Sequence, residues 1–488
     1  MTARERGPTV TLPDATRVPA GLDDVADAVA EGFDRTVEEL VALSRIPSVS
    51  AAGHDRAAVR RSAERTARLL EDAGLEGVEL LEVGDAHPYV TGHWLHAGPD
   101  APTVLLYAHH DVQPVGTPDR WSSEPFEPTE RAGRLYGRGT ADDKAGVLAH
   151  VAAIRAWLQT RGRLPVNVKV VVEGEEEIGS PHLQRFLDRY AGQLDADVIV
   201  LADCMNWKVG WPGLTWSLRG LMDGTVTVKV MQQPVHSGMW GGVVPDALTA
   251  MSRLLASLHD EAGRIAVKGF ADDVRPLSDD ERDRLARLDV DVEELRRDAR
   301  TVPGLELTGD PDRSVLERMW LLPTITPTGM DVPDVVHASN TLLSEVRTKL
   351  SCRLAPGQDP QRAAEALQAH LQAHAPFGCQ VTWELGETAP AWVTDPSGPA
   401  WDAGAAAFGA GYGHEVAAMG TGGSIPFVGP FAEAMGGAAC LLIGVEDPAT
   451  NAHGEDESLH LEDFHKACLS EAFLFHELAE RAGAVRRG

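Results

Sequence analysis

With 488 residues, 43% of them hydrophobic, the chain can bury more than one core, and its length favours two or more domains. Lysine and arginine number 44 against 73 acidic residues, a formal charge of -29, so a nucleic-acid backbone or an anionic membrane surface would be repelled and neither is expected as a partner. The five cysteines, Cys204, Cys352, Cys379, Cys440 and Cys468, are odd in number and scattered, which argues against a disulfide framework or a thiolate metal site and for a reducing cytoplasm.

The opening stretch Met1 to Gly21 is polar and proline-containing. It has no apolar core ending in a small-residue cleavage site, and no segment anywhere reaches the roughly 18 unbroken apolar residues of a membrane span. Asp23 to Leu43 has the spacing of an amphipathic helix, stopped by Pro47, and a second helix is expected around Ala57 to Ala73. Four short apolar runs follow: Thr103 to Asp111, Val166 to Glu177, Ala196 to Cys204 and Ala438 to Asp447. Each is continuous rather than alternating, and helical stretches such as Lys144 to Leu158 lie between most of them, as for buried strands of an α/β sheet.

From Gly220 the pattern changes. Thr225 to Val230 and Arg347 to Pro356 alternate like half-exposed antiparallel strands, with helices expected at Asp246 to Leu258 and Pro360 to His374 and a further strand at Cys379 to Leu385. Between them a charged Asp/Arg-rich insertion, Lys268 to Leu321, is expected to be helical and peripheral. The fold class expected is therefore α/β: a mostly parallel mixed sheet flanked by helices, in residues 1-215 and 391-488, interrupted by an inserted α+β module, 216-390, with an antiparallel sheet.

Ligands of open α/β sheets collect beyond the carboxyl ends of the strands, which directs His109, Asp111, Glu175, Glu176, Glu177 and Asp203 to one crevice. Such a set of carboxylates in a partly dry site would have to take up protons or bind cations, and the imidazole among them suggests a metal. Taken singly, each residue has an ordinary reading. His109 suits a hydrogen-bonded strand-end histidine, EGEEE a solvated loop, Asp142 and Asp203 helix caps, and His453 a loop histidine.

Their order carries more. The blocks RIPSVSA, YAHHDVQP, LYGRGTADDKAG, EGEEEIGS, LADC, HSGMWGG, RLAPGQDP, GGSIPF and NAHGEDE, spread over nearly the whole chain, resemble the di-zinc peptidase family of carnosinase-type dipeptidases, aminoacylase, acetylornithine deacetylase and succinyl-diaminopimelate desuccinylase. The resemblance implies that His109 and Asp203 hold one divalent metal ion, Glu177 and His453 the other, and that Asp142 bridges both. Three carboxylates and a bridging hydroxide would balance two dications, and zinc accepts this ligand set, with manganese and cobalt as alternatives. It further implies Glu176 as general base, Asp111 as the carboxylate orienting His109, and a cis peptide after Asp142. In the inserted module, which the resemblance makes a lid and homodimerisation domain, His236 matches an oxyanion-stabilising histidine and Arg353 an arginine that grips a substrate carboxylate. Asn340, Gly423 and Ser424 match further substrate contacts.

The implied activity is hydrolysis of dipeptides or similarly small peptides. The alternatives are an N-acyl-amino-acid deacylase and, more remotely, a non-catalytic metal-binding protein. Departures from the family pattern, TLLSEVR after Asn340, Glu455 and Asp456 after His453, and Thr421 before the Gly422-Gly423 turn, leave the substrate side-chain preference open.

Overall fold

The computed structural model describes residues 16–423, 425 and 428–486. Among these, the residues of segments 1–216, 395–419 and 427–488 form one compact unit, and those of 217–394 and 420–426 a second. The described residues of 420–426, expected in the closing part of the α/β domain, thus group with the inserted module.

The first unit is built on a mixed sheet whose strands run in the order Glu76–Leu81, Tyr89–Trp94, Asn167–Glu173, Thr103–His109, Val198–Met205, Ala439–Glu446, Gly213–Leu218. The four apolar runs singled out in the sequence are its centre, and they pair in parallel. Their Val- and Leu-rich segments are buried on both faces, as parallel strands covered by helices must be. Parallel pairing stops there. The strands on either side, Tyr89–Trp94 and Gly213–Leu218, join antiparallel, so "mostly parallel" holds for the central four alone.

Helices Asp23–Ser44, Arg56–Ala73, Lys144–Arg161, Pro399–Tyr412 and Leu461–Glu480 surround the sheet. Two of them, Lys144–Arg161 and Leu461–Glu480, are buried along most of their length, the condition of a helix packed on several sides rather than one. The Asp23–Ser44 helix ends where Pro47 forbids continuation. The strand expected to reach Glu177 ends at Glu173, and Glu176–Ile178 form a single 3-10 turn. Gly174, just past the strand, has room for no side chain, since a Cβ there would lie 2.6 Å from the Pro88 carbonyl and 2.9 Å from the His110 ring.

The second unit has a four-stranded antiparallel sheet, Thr324–Met330, Glu345–Leu354, Gly220–Lys229, Gln380–Ala389. The two central strands alternate in burial along their length, and their inward side chains join those of helices Ala247–Ala256 and Pro360–Ala373 in one apolar cluster. Asp246 and Asp359 cap these helices through their side chains.

The insertion departs from expectation. It holds two short helices, Asp279–Ala286 and Val292–Asp298, in mostly irregular chain. Nor is it peripheral throughout: its apolar end, Glu317–Leu321, buries Trp320 against Gly420, where a Cβ would meet the Trp320 side chain at 2.9 Å.

Candidate metal centre

All four central strands deliver a side chain to the same end of the sheet. His109 is the last residue of its strand and Asp203 lies near the end of Val198–Met205. Glu176 and Glu177 stand in the turn after Asn167–Glu173, and His453 in the loop after Ala439–Glu446. Asp142 stands one residue before Asp143, the N-cap of the Lys144–Arg161 helix, and the Asp142-Asp143 peptide is cis.

These residues form two triads, His109/Asp142/Asp203 and Asp142/Glu177/His453, whose nitrogen and oxygen atoms lie within 4.8 Å of one another in each triad. Asp142 belongs to both. Its Oδ1 is 3.1 Å from His109 Nε2, and its Oδ2 is 3.0 Å from His453 Nε2. His453 Nε2 is also 3.1 Å from Glu177 Oε2, while His109 Nε2 is 3.8 Å from Asp203 Oδ1 and 3.9 Å from Glu176 Oε2.

The electrostatics of this cluster call for cations. Burial pushes the Glu176 and Asp203 carboxyls well above the usual carboxylate range, and Glu177 upward as well. Hydrogen bonds to Asp142 and Glu177 lift His453 to about 11. Burial alone would depress His109, yet its contacts with Asp111 and Asp142 hold it well above the ordinary imidazole value. Protons thus stand where positive charge is needed. Two imidazoles and three carboxylates, one of them shared, are a donor set suited to a pair of divalent ions, and the residues fit that group.

A surrounding layer fixes the ligand candidates. Asp111 lies against the His109 ring, with its carbonyl O 3.1 Å and its Oδ1 3.5 Å from Nδ1. The same carboxylate accepts the backbone N–H groups of Glu176 at 3.2 Å and Glu177 at 3.1 Å, so one aspartate faces His109 and secures the glutamate turn. Asp143 accepts the His109 N–H at 3.0 Å.

Of the residues directed to the crevice, Glu175 turns elsewhere. Its buried carboxylate accepts from the Tyr89 hydroxyl and the His182 and His87 backbone N–H groups, and His182 Nδ1 lies 3.1 Å away. Glu175 precedes the 3-10 turn of Glu176–Ile178 with an extended φ of -147°, so its side chain does not follow the direction of the two glutamates inside the turn.

Three further anchors escaped the sequence reading: Gln113, which bonds Glu177; Asp143, which accepts from the His109 N–H; and Glu457, which accepts from the Asp142 N–H. Gln113, Asp143 and Glu457 stand inside the motifs YAHHDVQP, GRGTADDKAG and NAHGEDE, but nothing in their spacing marks a residue whose partner is distant in sequence.

The second unit holds the other candidates. His236 and Thr341 are partners in a two-residue ladder, Val235–His236 with Thr341–Leu342, and Ser237 N–H donates to the Asn340 carbonyl, which brings His236 and Asn340 together. The exposed His236 ring accepts from the Gly238 N–H at 3.1 Å. Arg353 is on strand Glu345–Leu354, opposite Leu221 and Thr324. Arg219 donates to the carbonyls of Gly422 at 3.1 Å and Leu322 at 3.2 Å, and burial together with the charge of Arg353 lowers it to about 10. Gly423 is exposed in the turn after Thr421, and Ser424 lies outside the described residues.

A model of Peptidase family M20/M25/M40 matches residues 105–472. A cysteinylglycine-S-conjugate dipeptidase of Corynebacterium striatum is 36% identical over 405 residues, 83% of this chain and 86% of that protein. A Cys-Gly metallodipeptidase of Saccharomyces cerevisiae is 28% identical over 442 residues, 86% of this chain and 90% of its own. The crystal structure of human carnosine dipeptidase 1 superposes with a TM-score of 0.84 at 26% identity, covering 95% of this chain and 99% of that one. The matched span 105–472 contains both triads, and the chain belongs to peptidase family M20/M25/M40.

Proposed function

We propose that this protein is a metallodipeptidase that hydrolyses the peptide bond of dipeptides, with two divalent ions held by His109 and Asp203, by Glu177 and His453, and by Asp142 between them. The observation that carries the reading is the sharing of Asp142 by two triads, with Glu176 beside them but outside both. Bound there, the ions supply Lewis acidity toward the scissile carbonyl and toward water.

The chain's own residues supply the rest. Glu176, largely buried and with a raised proton affinity, takes a proton from the attacking water and returns it to the leaving amine. Asp111 keeps the His109 ring in one orientation and fixes the backbone that carries Glu176 and Glu177. In the second unit, Arg353 takes the substrate's terminal carboxylate, His236 steadies the oxyanion, and Asn340, Gly423 and Ser424 are further substrate contacts.

Zinc is the proposed metal, and manganese or cobalt would suit the same nitrogen and oxygen donors. The protein is proposed to be cytoplasmic, in keeping with five cysteines that are all free, and to form a homodimer through the second unit. Among the described residues no helix is long and apolar enough to cross a membrane.

The test is a panel of dipeptides, including Cys-Gly and β-Ala-His, and of acetylated and succinylated amino acids, each with and without chelator. Chelator-sensitive release of amino acids from the dipeptides is expected. Selective cleavage of the acylated amino acids, or no turnover by fully metallated protein, would overturn the reading.

A further inference from the structure

Glu457 lies four residues beyond His453 and is completely buried. Its carboxylate collects four donors from one short stretch of chain: Arg138 Nη1 at 2.6 Å and the backbone N–H groups of Gly139 at 3.1 Å, Ala141 at 3.1 Å and Asp142 at 3.2 Å. Its carbonyl accepts a fifth bond, from the Gly137 N–H at 2.9 Å. Arg138 closes the arrangement by donating to the carbonyls of Gly454 at 3.1 Å and Pro114 at 3.2 Å. One side chain therefore ties the loop that presents His453 to the loop that presents Asp142.

The His453 loop needs such a tie. Asn451, His453 and Asp456 all have φ between 57° and 61°, the left-handed region that residues with a Cβ adopt at a cost and keep only when neighbours impose it. Asp456 supplies one external anchor, accepting from Ser122 N at 2.8 Å and bonding Ser122 Oγ at 2.5 Å. Arg138 supplies a second at the Gly454 carbonyl, and Glu457 a third that reaches the backbone N–H of the shared ligand Asp142.

We propose that Glu457 is a positioning residue that sets the separation of Asp142 and His453 and thereby the occupancy of the second cation. The proposal rests on the two-ion reading of the site. Held by Glu457, Asp142 Oδ2 and His453 Nε2 stand 3.0 Å apart, which gathers two donors of the second triad in one place. Released from it, the His453 loop is free to leave its left-handed conformation and carry the imidazole away. The His109 and Asp203 ligands stand on strands that Glu457 does not touch.

The experiment titrates metal-free wild type and Glu457→Gln with zinc by calorimetry, alongside far-UV circular dichroism. Glutamine keeps the shape but presents an NH2 to backbone donors. Wild type should bind two equivalents. The variant should bind the second equivalent about 10–100-fold more weakly, the usual cost of losing an outer partner of a metal ligand, and the first, which also uses Asp142, with a clearly smaller loss. Two equivalents with unchanged affinity, or equal weakening of both, would overturn the proposal and leave the two-ion reading standing. Fewer than two equivalents in wild type would instead overturn that reading and the proposal with it. If Glu457→Gln does not fold, Arg138→Gln serves in its place. It leaves the three backbone bonds but frees Gly454, so a smaller, several-fold weakening confined to the second equivalent is expected, and its absence is equally fatal.

Discussion

Gln113 grips Glu177 through three hydrogen bonds: its backbone N–H donates to Oε1 at 3.0 Å, and its side-chain amide donates to Oε2 at 2.8 Å and to the Glu177 carbonyl at 2.9 Å. Both carboxylate oxygens are thus engaged, which restricts how Glu177 can present itself to an ion. Gln113→Ala removes two of the three bonds. It should weaken the cation on Glu177 about 10-fold, the lower end of such effects because the backbone bond survives. Competition with a metal-sensitive dye reads the affinity, and unchanged binding would show that the clasp is incidental.

Glu176 differs from Glu177 by one position in sequence and by its whole role in the proposal. Glu176→Gln removes the proton acceptor without changing size. Turnover of a dipeptide should fall by about 10²–10⁴-fold, the range expected for a general base, while zinc content stays at the wild-type level. A variant that keeps its activity, or one that loses activity only because it has lost metal, would remove Glu176 from that role.

How much of this was legible in the sequence depends on the direction of each contact. The four apolar strands and the placing of His109, Asp203 and the glutamate turn at their ends follow from continuous Val/Leu runs, because a strand buried on both faces has no polar positions to spare. The bend of Glu175 toward Tyr89 was not legible, since it depends on the strand stopping at Glu173 and on a partner over 80 residues away. The irregular insertion was misread for a different reason. Its Asp and Arg residues have helical spacing only in short runs, and they pair locally, as Arg275 does with Glu281, which stabilises turns as readily as long helices.

Metal uptake should release protons. His109 and His453 have folded-state values above that of a free imidazole, and Glu176 and Asp203 lie above free carboxylates. Stability drawn from the protonated histidines is complete below pH about 6.5 and is lost as pH rises through their folded values, about 11 for His453. Buried carboxyls that must ionise act in the same direction, so the thermal midpoint of the metal-free protein should fall between pH about 6.5 and 9. With zinc bound, that fall should largely vanish, because the ions take the place of the protons. Zinc calorimetry in two buffers of different ionisation enthalpy measures the release directly. A midpoint that climbs with pH in the metal-free protein, or zinc binding without proton release, would contradict the assignment.

Gly422 bears on the turn proposed to meet substrate. A Cβ there would lie 2.8 Å from Arg219 Nη2 and 3.1 Å from the Met319 carbonyl. The guanidinium cannot simply swing aside, since it already donates to the Gly422 and Leu322 carbonyls. Gly422→Ala should therefore shift the turn and raise KM several-fold while the thermal midpoint and zinc content hardly move. An unchanged KM would separate the turn from substrate binding.

Arg353 offers the sharpest test of what the enzyme measures in its substrate. The residue is half-buried on a central strand of its sheet, and although burial lowers its pKa, an arginine remains charged at any pH the protein survives. Lysine at this position keeps the charge and loses the planar fork that matches a carboxylate with two parallel bonds. A charge-assisted hydrogen bond contributes about 1.5–3 kcal/mol, so Arg353→Lys should lower kcat/KM for a dipeptide by about 10–100-fold. The decisive comparison uses the same dipeptide with its C-terminus amidated, which wild type should already handle poorly and which the variant should cleave about as well as wild type does. If the substitution reduces both substrates equally, Arg353 supports the strand and does not read the carboxylate. If it reduces neither, terminal recognition belongs to another cation, and Arg219, which lies close enough for its pKa to feel the charge of Arg353, becomes the residue to change next.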